Sequence, residues 1–132
     1  MCGLIGTIGF KDDSKLNLKT LSHRGPDSMG KWNSLDNEFP VALGHTRLAI
    51  LDLTGAGNQP LLTEDNRFVF VFNGEIYNYK NLGIKYFSQE IGKNIPDTNV
   101  LVNLFDLKKI NQINSLLDGM YAYVVHDKKK IN

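Results

Sequence analysis

The chain of 132 residues has a single cysteine, and it stands second, directly behind Met1. A lone thiol in an apolar segment is ordinarily a small buried hydrophobe. The position offers another use. Methionine is trimmed readily when the next side chain is small, and its removal would leave Cys2 with a free α-amine on the residue that carries the thiol. Such an amine has a reference pKa of about 7.7–8.0, against about 10.4 for lysine. A useful fraction is then neutral near pH 7 and can accept the thiol proton, directly or through water. Nucleophile and base would share one residue, and no histidine is needed.

A thiolate that attacks an amide generates a tetrahedral oxyanion, and donors aimed at it are worth about 2.7–4 kcal/mol each in a dry site. Asn73-Gly74 can offer two, the side-chain amide of Asn73 and the N–H of Gly74. The same dipeptide is also a strong hairpin-turn signature. Arg47 could clamp a carboxylate in bidentate geometry, although most arginines lie on surfaces. Asp97 could accept from an ammonium group or cap a helix. His45 invites an acid–base role, but an α-amine would already fill it, which leaves a core or hydrogen-bonding histidine as the expectation. His23 and His126 have no ligand-spaced partners, so no metal site is expected. No G-x-x-x-x-G-K-[ST] phosphate loop occurs, so ATP binding by that device is not expected either.

The elements that must position these residues can be read from the apolar pattern. Residues 2–10 are apolar and glycine-punctuated, which suits a strand packed against other backbone. Residues 14–22 allow a short helix, and His23-Arg24-Gly25-Pro26-Asp27-Ser28 is loop chemistry. A strand is expected over 30–35 and another over 41–51, ending at the loop 52–58. Residues 68–72 are apolar at every position, which predicts a strand buried on both faces and hence a layered sandwich. Asp97 or Thr98 can cap a helix that carries Val100, Leu101, Leu104 and Phe105. Leu116-Leu117 extends that apolar surface. The last strand is expected over 120–125, running into a turn at 126–130 whose return strand is absent. Such a strand would have an unpaired edge.

Bulk properties are those of one soluble globular domain, 42% hydrophobic and 22% charged, with fifteen basic and fourteen acidic residues leaving +1. That balance gives no electrostatic argument for nucleic acid or an anionic membrane. The five-residue run at 68–72 is far short of the roughly 20 residues a membrane span needs. With no secretory signal and no possible internal disulfide, the cytoplasm is the expected compartment.

Six segments in one order resemble the N-terminal glutaminase domain of asparagine synthetases, the class II, N-terminal-nucleophile branch of the glutamine amidotransferases. They are Met1-Cys2-Gly3-Leu4-Ile5-Gly6, His23-Arg24-Gly25-Pro26-Asp27-Ser28, Gly44-His45-Thr46-Arg47-Leu48-Ala49-Ile50, Asn58-Gln59-Pro60-Leu61, Asn73-Gly74-Glu75-Ile76-Tyr77-Asn78 and Asp97-Thr98. The resemblance implies an α+β fold, a four-layer αββα sandwich of two antiparallel sheets. It implies Cys2 as nucleophile, with Asn73 and Gly74 for the oxyanion. Substrate binding falls to Arg47 on the glutamine carboxylate, to the backbone from Leu48 through Ile50 to Leu51, and to Asp97 and Glu75 on the ammonium side. The Arg24 to Asp27 loop is expected to be structural first.

The implied reaction is hydrolysis of L-glutamine to glutamate and ammonia through a Cys2 thioester, the ammonia going to an activated carboxylate, aspartate in whole asparagine synthetases. Those enzymes carry a second, ATP-using domain that has no counterpart here. No cofactor is expected for residues 1–132, with ATP and Mg confined to that other domain, present in cis or in trans. A homodimer is left open. The domain reads as incomplete at its C-terminus, a fragment or one half of a split enzyme. The stretch between Gly6 and His23 is short for the family, and Ala49 stands where serine is common. Two other readings share these features: a non-catalytic domain that kept the fold, and an amidotransferase for a sugar or another non-aspartate acceptor.

Overall fold

The computed structural model describes residues 2–10, 16–34, 38–49, 55–88, 96–107 and 110–129. Two antiparallel three-stranded sheets face one another. The first holds β1 (Gly3–Ile8), β2 (Ser28–Asn33) and β3 (Val41–Arg47), with β3 in the centre. The second holds β4 (Leu61–Leu62), β5 (Phe68–Ile76) and β6 (Gly119–Asp127), with β5 in the centre. Three helices, α1 (Tyr79–Tyr86), α2 (Asp97–Asp106) and the single turn α3 (Ile113–Leu116), complete the described elements with short 3₁₀ turns.

The all-apolar run at 68–72 explains the layering. Side chains alternate along a strand, so a run without polar residues must bury both faces. Phe68, Phe70 and Phe72 join Val100, Leu101 and Leu104 of α2 in the larger core. Val69 and Val71 turn the other way, onto Leu43 and, at the margin, Leu4 and Trp32 of the first sheet. Beyond the first sheet lies the 3₁₀ turn Leu18–Leu21, with Leu16 and Leu18 buried and Leu18 lying over Gly44. The order of layers is therefore turn, sheet, sheet, helices, the α+β sandwich expected from the sequence. Among the described residues the first helical layer is only that 3₁₀ turn, where the sequence allowed a short helix or an alternating strand over 14–22.

Other boundaries moved. The second strand begins at Ser28 instead of residue 30, and the 41–51 strand ends at Arg47. Neither Asp97 nor Thr98 caps α2. The cap position is Pro96, whose ring presets an extended entry, and Asp97 is the first helical residue. The last strand runs through Asp127, so the turn expected from 126 starts later, and Arg67, which immediately precedes the neighbouring strand, forks onto the Asp127 carboxylate at that end. Among the described residues β6 is an edge of its sheet, with Met120 70% exposed. Helix α1 and strand β4 had no counterpart in the sequence reading. No described helix is long and apolar enough to cross a membrane.

Candidate functional site

Alternation along the two central strands aims one set of polar residues into the gap between the sheets. On β3, Leu43 faces the second sheet, so His45 and Arg47 share its face. On β5, Val69 and Val71 face the first sheet, and Asn73 continues their row. A hydrogen bond fixes the relative level: the Nε2 of His45 lies 3.1 Å from the Phe72 carbonyl. Arg47 is two residues beyond His45, and Asn73 is one beyond Phe72, toward the same end of the sandwich.

Cys2 immediately precedes β1, whose first residue, Gly3, pairs with Thr46. Its sulfur accepts the Leu48 N–H at 3.4 Å and lies 4.0 Å from the Leu48 carbonyl. The thiol is thus held against the backbone that leaves β3, directly beside Arg47. The Arg24 to Asp27 loop closes round the same place. Arg24 donates from Nε to the Cys2 carbonyl at 3.0 Å, and Asp27 takes the Ala49 N–H on its carboxylate at 2.7 Å. The Asp27 N–H in turn donates to the Arg47 carbonyl. This loop braces the Cys2 carbonyl and the backbone of Arg47 and Ala49.

Arg47 is 9% exposed, so it is not the surface arginine that composition alone would favour. Its Nη1 donates to the Asn58 side-chain oxygen at 3.2 Å, an oxygen that also accepts from the Ser28 hydroxyl. Gly57 leaves room for the guanidinium: a Cβ there would lie 2.6 Å from Nη2.

Asn73-Gly74 is not a hairpin turn. β5 continues unbroken through both residues, pairing Asn73 with Ala122 and Gly74 with Tyr121. Propensity for the turn loses to the sheet because β6 supplies a ladder on the far side. Gly74 has φ +143, and a Cβ there would lie 2.5 Å from the Tyr121 Cα, so only glycine fits. The edge of β5 away from β6 carries alternate backbone N–H groups. Phe68 gives its N–H to the Thr63 hydroxyl and Phe72 gives its own to the Gln59 side-chain oxygen at 2.6 Å. Farther along, Ile76 donates to the Asp97 carboxylate at 3.1 Å. Alternation directs the Gly74 N–H to this same edge, between those of Phe72 and Ile76.

The expected site residues therefore fall into two groups on facing sheets. Cys2, Arg47 and Leu48 gather at the end of the first; Asn73, Gly74, Glu75 and Asp97 gather along the end of β5. The link between the groups is indirect, through His45 and the Asn58-Gln59 pair. Asp97 also accepts the Thr98 N–H at 2.8 Å, so its carboxylate joins α2 to β5. Glu75 is exposed. Ile50 and Leu51 lie outside the described residues. Among the described residues no three His, Cys, Asp or Glu side chains are grouped to hold a metal ion.

His45 is 1% exposed, and burial lowers its pKa to about 4, with the Phe72 carbonyl opposing the shift and the Arg47 charge adding to it. The ring is neutral at neutral pH, and Nε2 donates to Phe72. His45 is thus a structural tie between the sheets, the hydrogen-bonding histidine that the sequence reading preferred. Asn58 and Gln59 were quoted there only as a motif. What would have singled them out is two polar residues between a glycine-rich turn and a proline, where a surface loop would serve equally well.

A family model described as a glutamine amidotransferase domain matches residues 1–132. Several relatives bear the name asparagine synthetase (glutamine-hydrolyzing). That of Sandersonia aurantiaca is 36% identical over 138 residues, covering 98% of this chain and 25% of the relative. That of Triphysaria versicolor is 35% identical over 136 residues, covering 98% and 22%, and asparagine synthetase 1 of Arabidopsis thaliana is 34% identical over 134 residues, covering 96% and 22%. The chain spans about a quarter of the length of the curated relatives it matches. On the family match across its whole length and on these identities, the chain belongs to the glutamine amidotransferase domain family.

Proposed function

We propose that this domain hydrolyses L-glutamine to glutamate and ammonia, with Cys2 as nucleophile, as the glutaminase module of an asparagine synthetase-like enzyme. The observation that supports the reading is the pair of facing sheet ends, with Cys2 held beside Leu48 next to Arg47 on one and Asn73 on the other, the two central strands being tied by the His45 to Phe72 bond. Once Met1 is removed, the Cys2 α-amine takes the thiol proton and the sulfur attacks the side-chain amide carbon of glutamine. The oxyanion is met by the Asn73 amide and the Gly74 N–H. Collapse of the intermediate breaks the C–N bond, and the α-ammonium returns its proton to the departing ammonia. Water, deprotonated by the same amine, then cleaves the thioester.

Arg47 takes the substrate α-carboxylate, Asp97 and Glu75 the α-ammonium, and the backbone of Leu48, with Ile50 and Leu51, lines the pocket. The name carried by the relatives supports aspartate as the proposed acceptor of the ammonia. The ATP and Mg chemistry of that transfer belongs to a synthetase domain in cis or in trans, and this module itself uses no cofactor. The cytoplasm is the proposed compartment.

Intact mass and ammonia release from glutamine, compared between wild type and Cys2→Ala, test the reading. Loss of Met1 and release that vanishes in Cys2→Ala support it; a retained Met1 or equal release from both proteins overturns it.

A further inference from the structure

Were β4 to continue backward from the Leu61 to Phe70 pairing, residue 59 would stand opposite Phe72. The Gln59 backbone packs instead against Gly30 of β2, in the other sheet, and its side chain takes over the missing ladder bond by accepting the Phe72 N–H at 2.6 Å. His45 binds the Phe72 carbonyl, so both peptide planes flanking Phe72 are pinned by side chains. Gln59 is 8% exposed, which makes its oxygen a committed acceptor. The preceding residue, Asn58, holds the Arg47 guanidinium at 3.2 Å. Two consecutive side chains thus reach opposite halves of the site.

We propose that Asn58 and Gln59 form a two-sided positioning element, Asn58 setting the Arg47 guanidinium for the substrate carboxylate and Gln59 setting Phe72, Asn73 and Gly74 for the oxyanion. The inference rests on the glutaminase reading above. Neither residue touches the reacting atoms; each acts through a neighbour. Misplacement of about 1 Å at a reacting centre is sufficient to cost about 100-fold in rate. Loss of an interaction felt only in the transition state lowers kcat, whereas loss of uniform binding raises KM. The two residues must therefore give different kinetic signatures, which a merely structural role for the segment would not.

The test is steady-state glutamine hydrolysis by the full chain carrying Gln59→Met, Gln59→Glu or Asn58→Ala, each checked for folding by circular dichroism. Gln59→Met removes the acceptor at nearly constant volume, and kcat should fall about tenfold or more with KM within about twofold. Gln59→Glu keeps an acceptor oxygen and should recover most of that loss. Asn58→Ala should raise KM about fivefold or more while kcat changes less than twofold. If Gln59→Met fails to fold, Gln59→Asn, which withdraws the oxygen by one methylene, replaces it with the same expected fall in kcat. Cys2-dependent activity with an unchanged kcat in the Gln59 variants, or kcat and KM altered alike at both positions, overturns this inference alone. Absence of Cys2-dependent activity in wild type overturns the glutaminase reading and this inference with it.

Discussion

Arg24 donates its Nε–H to the carbonyl of Cys2, across 3.0 Å and twenty-two positions of sequence. The bond holds the residue that would carry the nucleophile by its own main chain, while its sulfur rests on the Leu48 backbone. Arg24→Ala should therefore lower glutamine turnover about tenfold without abolishing it. Arg24→Lys should not restore it, because an ammonium lacks the fixed donor direction of a guanidinium. Ammonia release by the two variants, alongside the rate of Cys2 alkylation, checks this expectation.

The roles proposed for Arg47 and Asn73 separate kinetically. Asn73→Ala removes a donor felt by the oxyanion and should depress kcat roughly 100- to 1,000-fold. Arg47→Ala should act mainly on KM for glutamine, since the carboxylate is bound alike in the ground and transition states. Exchanged signatures in steady-state kinetics would reverse the two assignments.

At Gly74 the backbone has φ +143 and a Cβ would lie 2.8 Å from that of Tyr121. Gly74→Ala should cost about 2 kcal/mol or more, through strain and through forced separation of β5 from β6. Urea denaturation of the variant measures it. An unaffected midpoint would mean that the two strands can part without cost.

His45 imparts a pH dependence to stability with a definite sign. Its pKa falls from 6.5 in the unfolded chain to about 4 in the fold, so between those values the unfolded state binds the extra proton. The neutral ring's contribution is fully present above about pH 6.5 and is lost as pH falls toward about 4, by on the order of 3 kcal/mol. Thermal melts of wild type between pH 7 and pH 4 should show this decline, and His45→Asn should flatten it. A decline that starts only below pH 4, where carboxylates titrate, would assign it to them instead.

Much of the architecture was legible from the chain. The unbroken apolar run at 68–72 announced a strand buried on two faces, and the spacing of Val100, Leu101, Leu104 and Phe105 announced the helix that covers one of them. Both follow from local periodicity, which sequence carries directly. Helix α1 escaped because Tyr79–Tyr86 has only Leu82 and Gly83 buried, too weak a stripe to read. The hairpin preference of Asn73-Gly74, which the sequence reading set below a place at the end of the buried strand, is overridden for a related reason. Dipeptide preference is local, and the β6 ladder that overrides it comes from nearly fifty residues away.

For the site, the sequence by itself determined which side chains were present and in what order: a thiol at position 2, an arginine two residues after His45, and an amide beside a glycine. The six motifs and the family match rest on that order alone. Tertiary structure decided which groups meet. That Asp27 would brace Ala49, that Arg24 would hold the Cys2 carbonyl, and that Gln59 would replace a strand in the ladder of β5 depend on contacts between residues 13 to 22 positions apart. No period or propensity encodes such contacts. They exist only because two sheets pack face to face and each buried polar group must find a partner within reach.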